Sequence, residues 1–104
     1  MTDTSQPVPA ADDDGTLVRE IEIVNRKGLH ARATAKFVQC VEQFVAEVTV
    51  SRAGETVGGT SIMGILTLGA GIGSTIIVTA KGQEAEEVLD ALTKLIGNKF
   101  GEEE

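Results

Sequence analysis

The sequence predicts an α+β fold in which helices cover one face of an antiparallel sheet. Four short runs rich in β-branched residues alternate apolar with polar positions, as Ile21 and Ile23 alternate with Glu20 and Glu22. Two longer runs instead repeat their apolar residues at helical spacing. Strands with one polar face imply a sheet that is wet on one side and packs helices on the other. The length of 104 residues suits a single domain.

Along the chain the elements follow the order β-α-β-β-α-β-α. A turn joins the second and third strands as a hairpin, and we expect Phe44 to extend the buried stripe of the first helix and Phe100 to pack back on the domain. The pattern suggests a split βαβ, ferredoxin-like arrangement and does not decide the order of the strands. The predicted strands are 17–24, 46–52, 56–58 and 74–80, the turn is 53–55, and the helices are about 31–44, 62–68 and 84–96.

The acidic charge of the chain is concentrated at its two ends. The net charge is −7, yet residues 17–101 contain nine acids and nine bases. We therefore predict an acidic, disordered tail at 1–16, a folded domain at 17–100 and an acidic, solvated tail at 101–104. Four bases cluster around the only histidine, His30, and such a patch suits a phosphate or an acidic partner. These bases are Arg26, Lys27, Arg32 and Lys36.

The composition narrows the possible functions. The folded part has no net positive charge and the chain has no Tyr or Trp to stack on bases, so we expect no nucleic-acid partner. No apolar run could span a bilayer and the N-terminus lacks a signal-peptide pattern, so we expect a cytoplasmic protein without a membrane partner. With one histidine and one cysteine, Cys40, we expect neither a metal site nor a catalytic triad. Cys40 itself is predicted to be a buried or half-buried, unreactive thiol.

His30 stands at the seam between the first strand and the first helix. The first amides of a helix lack intrahelical partners and the helix dipole adds partial positive charge, so this position is suited to an anion. A neutral imidazole keeps a lone pair and can act as a nucleophile. Arg32, in the first turn, can reach a bound phosphoryl group with its guanidinium, and Gly28 leaves room for a bulky donor.

A histidine beside a helix start also has a purely structural interpretation, because many such residues take no part in chemistry. From the residues alone, two hypotheses therefore remain open. In the first, His30 accepts a phosphoryl group and the protein carries it to another protein. In the second, the chain is a small ferredoxin-like domain that binds a ligand or regulates a partner, with His30 in a structural role.

Ser61 is placed to cap the second helix, with Thr60 as a competing cap and phosphorylation site. A phosphate at this position would be held by free amides and would add about two negative charges. The helix behind it is more apolar than its buried side requires, since Ile65 and Leu68 already suffice to face the sheet. The other apolar residues either join the core or form an exposed docking patch: Ile62, Met63 and Leu66.

Two segments resemble the motifs of a known family. Residues 28–33, Gly-Leu-His-Ala-Arg-Ala, resemble the active-site histidine motif of the HPr family, the phosphocarriers of the phosphoenolpyruvate-dependent phosphotransferase system. Residues 61–69, Ser-Ile-Met-Gly-Ile-Leu-Thr-Leu-Gly, resemble the family's second motif, around its regulatory serine. The two motifs stand at the family's usual separation, the order of elements matches, and the resemblance covers about residues 17–100.

The resemblance implies an open-faced β-sandwich, a four-stranded antiparallel sheet in the order 1-4-2-3 with three helices on one face. It implies that enzyme I phosphorylates His30 on Nδ1 with phosphate from phosphoenolpyruvate, that Arg32 assists, and that His30 passes the group to a histidine of a IIA-type protein. It further implies that HPr kinase/phosphorylase modifies Ser61. The protein would be a monomeric carrier without a cofactor, not an enzyme. The predicted docking residues are Ala31, Ala35, Lys36, Gln39, Ile62, Met63, Leu66 and Gly69.

The sequence departs from the family pattern at Ala33, where most members have proline after the arginine. Alanine restores an amide donor in the first helical turn and still favours helix. We expect the helix to begin in the same place, while the pose of the imidazole and the rate of transfer depend on this residue. The family serves both sugar transport and nitrogen-linked regulation, and the sequence does not choose between them.

Overall fold

The computed structural model describes residues 15–102. Within this part the chain forms four strands and three α-helices, followed by a short 3₁₀ turn. The strands are β1 (Leu17–Glu22), β2 (Glu47–Arg52), β3 (Glu55–Gly58) and β4 (Thr75–Lys81). The helices are α1 (Ala31–Val41), α2 (Ile62–Thr67) and α3 (Ala85–Gly97), and the C-terminal turn is Lys99–Gly101. No helix in residues 15–102 is long and apolar enough to cross a membrane.

The four strands form one antiparallel sheet in the order β1-β4-β2-β3. This order, which the residue pattern left open, is the one that the family resemblance implies. Ile21 of β1 lies opposite Ile76 of β4, and Val50 of β2 lies opposite Val78. At the β2–β3 hairpin both Ala53 and Gly54 have left-handed φ, of 53° and 86°, as a tight two-residue turn requires.

The apolar core lies between the helices and one face of the sheet. The predicted alternation is confirmed, because Ile21 and Ile23 are buried while Glu20 and Glu22 are exposed. The opposite face of the sheet stays in solvent and is rich in hydroxyl groups, including a Thr49–Thr79 side-chain hydrogen bond between β2 and β4. The fold is therefore an open-faced α+β sandwich. The helical part of the core is Ala33, Phe37, Val38, Val41, Ile65, Leu68, Ala85, Val88, Leu89, Leu92 and Ile96.

The predicted ends of the first helix and the first strand are wrong by three and two residues, and the other boundaries that differ, such as the start of α3, do so by one residue. Helix α1 ends at Val41 instead of 44, because the chain turns at Glu42 and leaves Phe44 half-buried outside the helix. Strand β1 ends at Glu22, although the Ile23 amide still donates to Ser74 at 2.8 Å. Helix α3 begins at Ala85, with the Glu84 carboxylate accepting from the Val45 amide at 2.7 Å.

The predictions for the two ends of the domain have different outcomes. Residues 1–14 of the predicted N-terminal tail, and Glu103 and Glu104 of the C-terminal one, lie outside the described residues. Phe100 packs back on the core as predicted, with 1% of its surface exposed. The prediction that residue 102 lies in a solvated tail is wrong, because the Glu102 side chain is only 13% exposed and contacts His30.

Candidate active site

His30 is the N-cap of α1. Its backbone is extended, with φ −77° and ψ −177°, and its side chain turns back over the first turn of the helix. Nδ1 accepts hydrogen bonds from the amides of Arg32 at 3.1 Å and Ala33 at 3.2 Å. The lone pair of Nδ1 thus points at the positive end of the helix. The predicted position at a helix N-terminus is confirmed, although the side chain is half-buried, with 26% exposed.

The loop before His30 is fixed by contacts that only a glycine permits. Gly28 has φ +66°, and a Cβ there would lie 2.5 Å from the Ala70 carbonyl oxygen. The next amide, that of Leu29, donates to the same carbonyl at 2.9 Å, and the Asn25 side-chain amide, fully buried, donates to the Gly28 carbonyl at 2.8 Å. Gly28 therefore serves the close approach of two backbone segments, where the sequence suggested access for a donor.

A basic, open pocket of about 750 Å³ surrounds His30. Its lining includes the four bases that the sequence placed near the histidine: Arg26, Lys27, Arg32 and Lys36. Arg32 is exposed, while Lys36 is tied down by a 2.6 Å hydrogen bond from Nζ to the Phe100 carbonyl oxygen. An anion at Nδ1 would meet backbone amides and positive side chains together.

Glu102 is the site residue that sequence reasoning missed. Its Oε2 lies 2.9 Å from Nε2 of His30, and the residue lines the same pocket. Lys99, Phe100 and Gly101 all have positive φ, between 56° and 75°, so the chain reverses sharply before Glu102. Two non-glycine residues in that conformation leave no local sequence signal, which is why the contact could not be predicted.

Ser61 is the N-cap of α2, as predicted, and Thr60 is not. The Ser61 Oγ accepts from the Gly64 amide at 3.1 Å, and the side chain is exposed. The other end of this short helix is held by Arg52, whose guanidinium donates to the Leu68 carbonyl oxygen at 2.9 Å. The serine hydroxyl thus stands at a helix start in solvent, where an added phosphate would meet free amides.

Helix α2 exposes apolar side chains on the side away from the sheet. Ile65 and Leu68 are buried, whereas Met63 is 70% and Ile62 42% exposed and Leu66 is half-buried. Not all five apolar residues are core, so this side forms the apolar patch Ile62/Met63/Leu66. Helix α2, which carries this patch, packs against α1.

The other predicted docking residues belong to α1, except Gly69, which follows α2. Ala31 and Gly69 are exposed and Ala35 is half-buried. Lys36 and Gln39 line a groove between α1 and α3, together with Cys40 and Lys94. Cys40 is half-buried as predicted, and burial raises the pKa of its thiol, which keeps it protonated and unreactive near neutral pH.

The comparisons with known proteins decide the family. A family model described as the phosphorylation site of the HPr component of the phosphotransferase system matches residues 17–98. The phosphocarrier protein HPr of Cupriavidus necator is 49% identical over 88 residues, which cover 85% of this chain and 99% of the relative. The chain belongs to the HPr family. The phosphocarrier protein NPr of Shewanella violacea is 40% identical, covering 83% of this chain and 94% of its own.

The solved structures agree with the HPr fold. The crystal structure of HPr-C-His from Thermoanaerobacter tengcongensis superposes with a TM-score of 0.80 at 42% identity. The match covers 84% of this chain and 98% of that one. The strand order and helix placement described above are therefore those of an HPr phosphocarrier domain.

Proposed function

We propose that the protein is a carrier that accepts a phosphoryl group on Nδ1 of His30 from phosphorylated enzyme I and passes it to a histidine of a IIA-type protein. The observation that supports this most strongly is the geometry at Nδ1, the atom that would attack. Two amides of the first helical turn, which have no partner within the helix, donate hydrogen bonds to it. A ring nitrogen that accepts two hydrogen bonds carries no proton and keeps its lone pair. The protein is then covalently modified by other proteins and does not itself turn over a substrate.

The surroundings of Nδ1 suit the product of this step. The oxygens of a phosphoryl group on Nδ1 would lie beside the amides of Arg32 and Ala33, which now donate to the nitrogen itself. Arg32 lines the same pocket, and its guanidinium can form charge-assisted hydrogen bonds to those oxygens. Because Ala33 is not proline, it supplies one of the two amides.

The partners would dock on the apolar patch Ile62/Met63/Leu66 and the basic rim next to it. An apolar centre with a charged edge is typical of protein interfaces, and methionine adapts to several partner surfaces. Enzyme I and the IIA acceptor would use the same face in turn, and the carrier would act as a monomer. The remaining predicted contacts are Ala31, Ala35, Lys36, Gln39 and Gly69.

Ser61 would be the regulatory site for HPr kinase/phosphorylase. Its hydroxyl is exposed at the start of α2, directly before the apolar patch. A phosphate there would add about two negative charges beside the docking surface without unfolding the helix.

The test of the carrier function is incubation with enzyme I and labelled phosphoenolpyruvate. We expect an acid-labile, alkali-stable label that disappears in His30→Ala and passes to a IIA-type protein on its addition. Absence of label in the unchanged protein, or full labelling of His30→Ala, would contradict the proposal and favour a regulatory or binding role for the domain, with His30 purely structural.

The regulatory site is tested separately with HPr kinase and ATP. We expect an acid-stable phosphate that Ser61→Ala abolishes and Thr60→Ala leaves in place. Equal phosphate incorporation in the two variants would show that Ser61 is not the modified residue.

A further inference from the structure

The C-terminal turn Lys99–Gly101, together with Glu102, forms an arm that is anchored in the domain and contacts His30. Phe100 anchors it in the core with 1% of its surface exposed, and the Lys36 ammonium holds the Phe100 carbonyl at 2.6 Å. The Gly101 amide donates to the Asn98 carbonyl and the Glu102 amide to the Lys99 carbonyl, each at 2.9 Å. These contacts restrict the positions that are open to the Glu102 side chain.

The arm brings a carboxylate to the second nitrogen of the acceptor ring. Glu102 Oε2 lies 2.9 Å from Nε2, while Nδ1 on the other side of the ring accepts from two backbone amides. The neutral ring has one proton. Nδ1 cannot hold this proton because it accepts hydrogen bonds from two amides, so the proton lies on Nε2 and is donated to Glu102. Nδ1 thus faces hydrogen-bond donors and Nε2 faces an acceptor, and the two sets of partners together fix the orientation of the ring.

We propose that Glu102 is a positioning residue for phosphoryl transfer, holding His30 in the tautomer and orientation in which Nδ1 is the nucleophile. This inference rests on the proposed carrier function. A carboxylate bonded to one ring nitrogen is a general device for fixing the tautomer and the orientation of a reactive histidine. Glu102 acts through the ring and does not touch the phosphoryl group.

The same contact matches the charge change of the reaction. The Nδ1 lone pair forms a bond to phosphorus, and the bond from phosphorus to the donor atom breaks with its electron pair staying on the donor. The ring loses no proton, so the Nδ1-phosphorylated, Nε2-protonated imidazole gains a positive charge. That charge develops 2.9 Å from a carboxylate that is 13% exposed, where solvent screens the attraction less than at an open surface.

An inhibitory role for Glu102 would have the opposite sign. The carboxylate lines the pocket formed with Arg26, Lys27 and Arg32, and it would compete with a phosphoryl group if it occupied the anion position. The geometry favours positioning, because Glu102 contacts Nε2 and the anion position lies at Nδ1, beside the helix amides.

The test compares Glu102→Gln with the matched control Glu87→Gln, which removes the same charge from an exposed position on α3. Ring ¹⁵N NMR of the unphosphorylated protein reports which nitrogen holds the proton. We expect Glu102→Gln to raise the population of the Nδ1-protonated form and to slow phosphorylation by enzyme I about tenfold, a typical effect of losing such a partner. Glu87→Gln should match the unchanged protein in both measurements.

A chain ending at Gly101 and the variant Glu102→Asp complete the series. The shortened chain should behave like Glu102→Gln, and aspartate should recover part of the rate. An unchanged rate or tautomer in Glu102→Gln would overturn positioning, and a faster rate would show competition instead. Failure of the unchanged protein to accept phosphate would refute the carrier function itself. This result is distinct from a failure of the positioning role, because the ring NMR measurement needs no phosphorylation.

Discussion

At the scale of single residues, His30 has a structural role as the cap of α1, and we propose a chemical role for the same side chain. It caps α1 through Nδ1, the same atom that we propose as the phosphoryl acceptor. The position of His30 at a helix start could be predicted, because the residue stands between a strand pattern and a helix pattern. The contact of His30 with Glu102 could not be predicted. It depends on left-handed backbone at Lys99 and Phe100, a conformation that neither residue type indicates.

The cap role of His30 can be separated from its chemistry by two substitutions. His30→Ala should lower the free energy of unfolding by about 1 kcal/mol, because the amides of Arg32 and Ala33 lose their acceptor. His30→Asn should retain most of that stability, since its carbonyl oxygen can accept from the same amides, while neither variant takes up phosphate. Urea unfolding followed by circular dichroism measures the difference; equal stabilities for Ala and Asn would show that the cap contributes nothing.

Arg32 provides the second prediction at this scale. Arg32→Ala should slow phosphoryl transfer from enzyme I about tenfold, as expected for the loss of a charge-assisted hydrogen bond. Arg32→Lys should recover only part of the rate, because an ammonium lacks the planar fork. Rapid-quench kinetics with labelled phosphate distinguishes the two, and a Lys variant as fast as the unchanged protein would reduce the role of Arg32 to its charge alone.

At the scale of elements, the start of α1 depends on the loop that precedes it. Gly28 lets residues 28–29 lie against residues 70–71, and Asn25 closes the loop from its buried side. The strands and helices themselves could be predicted from alternation and helical stripes. The end of α1 could not, because the apolar Phe44 continues the stripe even though the backbone has already turned at Glu42.

Gly28 and Gly54 form a matched pair for testing this loop. Both have positive φ, of 66° and 86°, but only at Gly28 would a Cβ clash with neighbouring backbone. Gly54→Ala should cost about 1 kcal/mol, the price of a left-handed conformation. Gly28→Ala should cost more than about 2 kcal/mol and displace His30, since strain and overlap add. Thermal unfolding of both variants is the measurement, and equal losses would refute the close packing at Gly28.

At the scale of the whole molecule, the covered face of an otherwise ordinary α+β sandwich holds two neighbouring helices with side-chain N-caps. His30 caps α1, Ser61 caps α2, and the two helices pack against each other above the sheet. The strand order that allows this could not be derived from periodicity, because antiparallel strands with one apolar face satisfy the pattern in several orders. Resemblance of two motifs to the HPr family implied it, and the structure confirms it.

This arrangement predicts communication between the two caps through charge at a shared docking face. Ser61→Asp should slow phosphorylation of His30 severalfold, because it adds negative charge beside the surface where a phosphorylated partner must dock. Thr75→Asp adds the same charge on the exposed opposite face of the sheet and serves as the control. Equal rates for the two variants would mean that the face is not shared.

The proposed function depends above all on whether Nδ1 of His30 accepts the phosphoryl group. The most direct measurement is phosphorus–nitrogen NMR of ¹⁵N-histidine-labelled protein after phosphorylation by enzyme I. We predict a phosphorus–nitrogen coupling at Nδ1 and a proton on Nε2. A coupling at Nε2, or phosphorylated protein without any phosphorus–nitrogen coupling at His30, would contradict the assignment of Nδ1 as the acceptor.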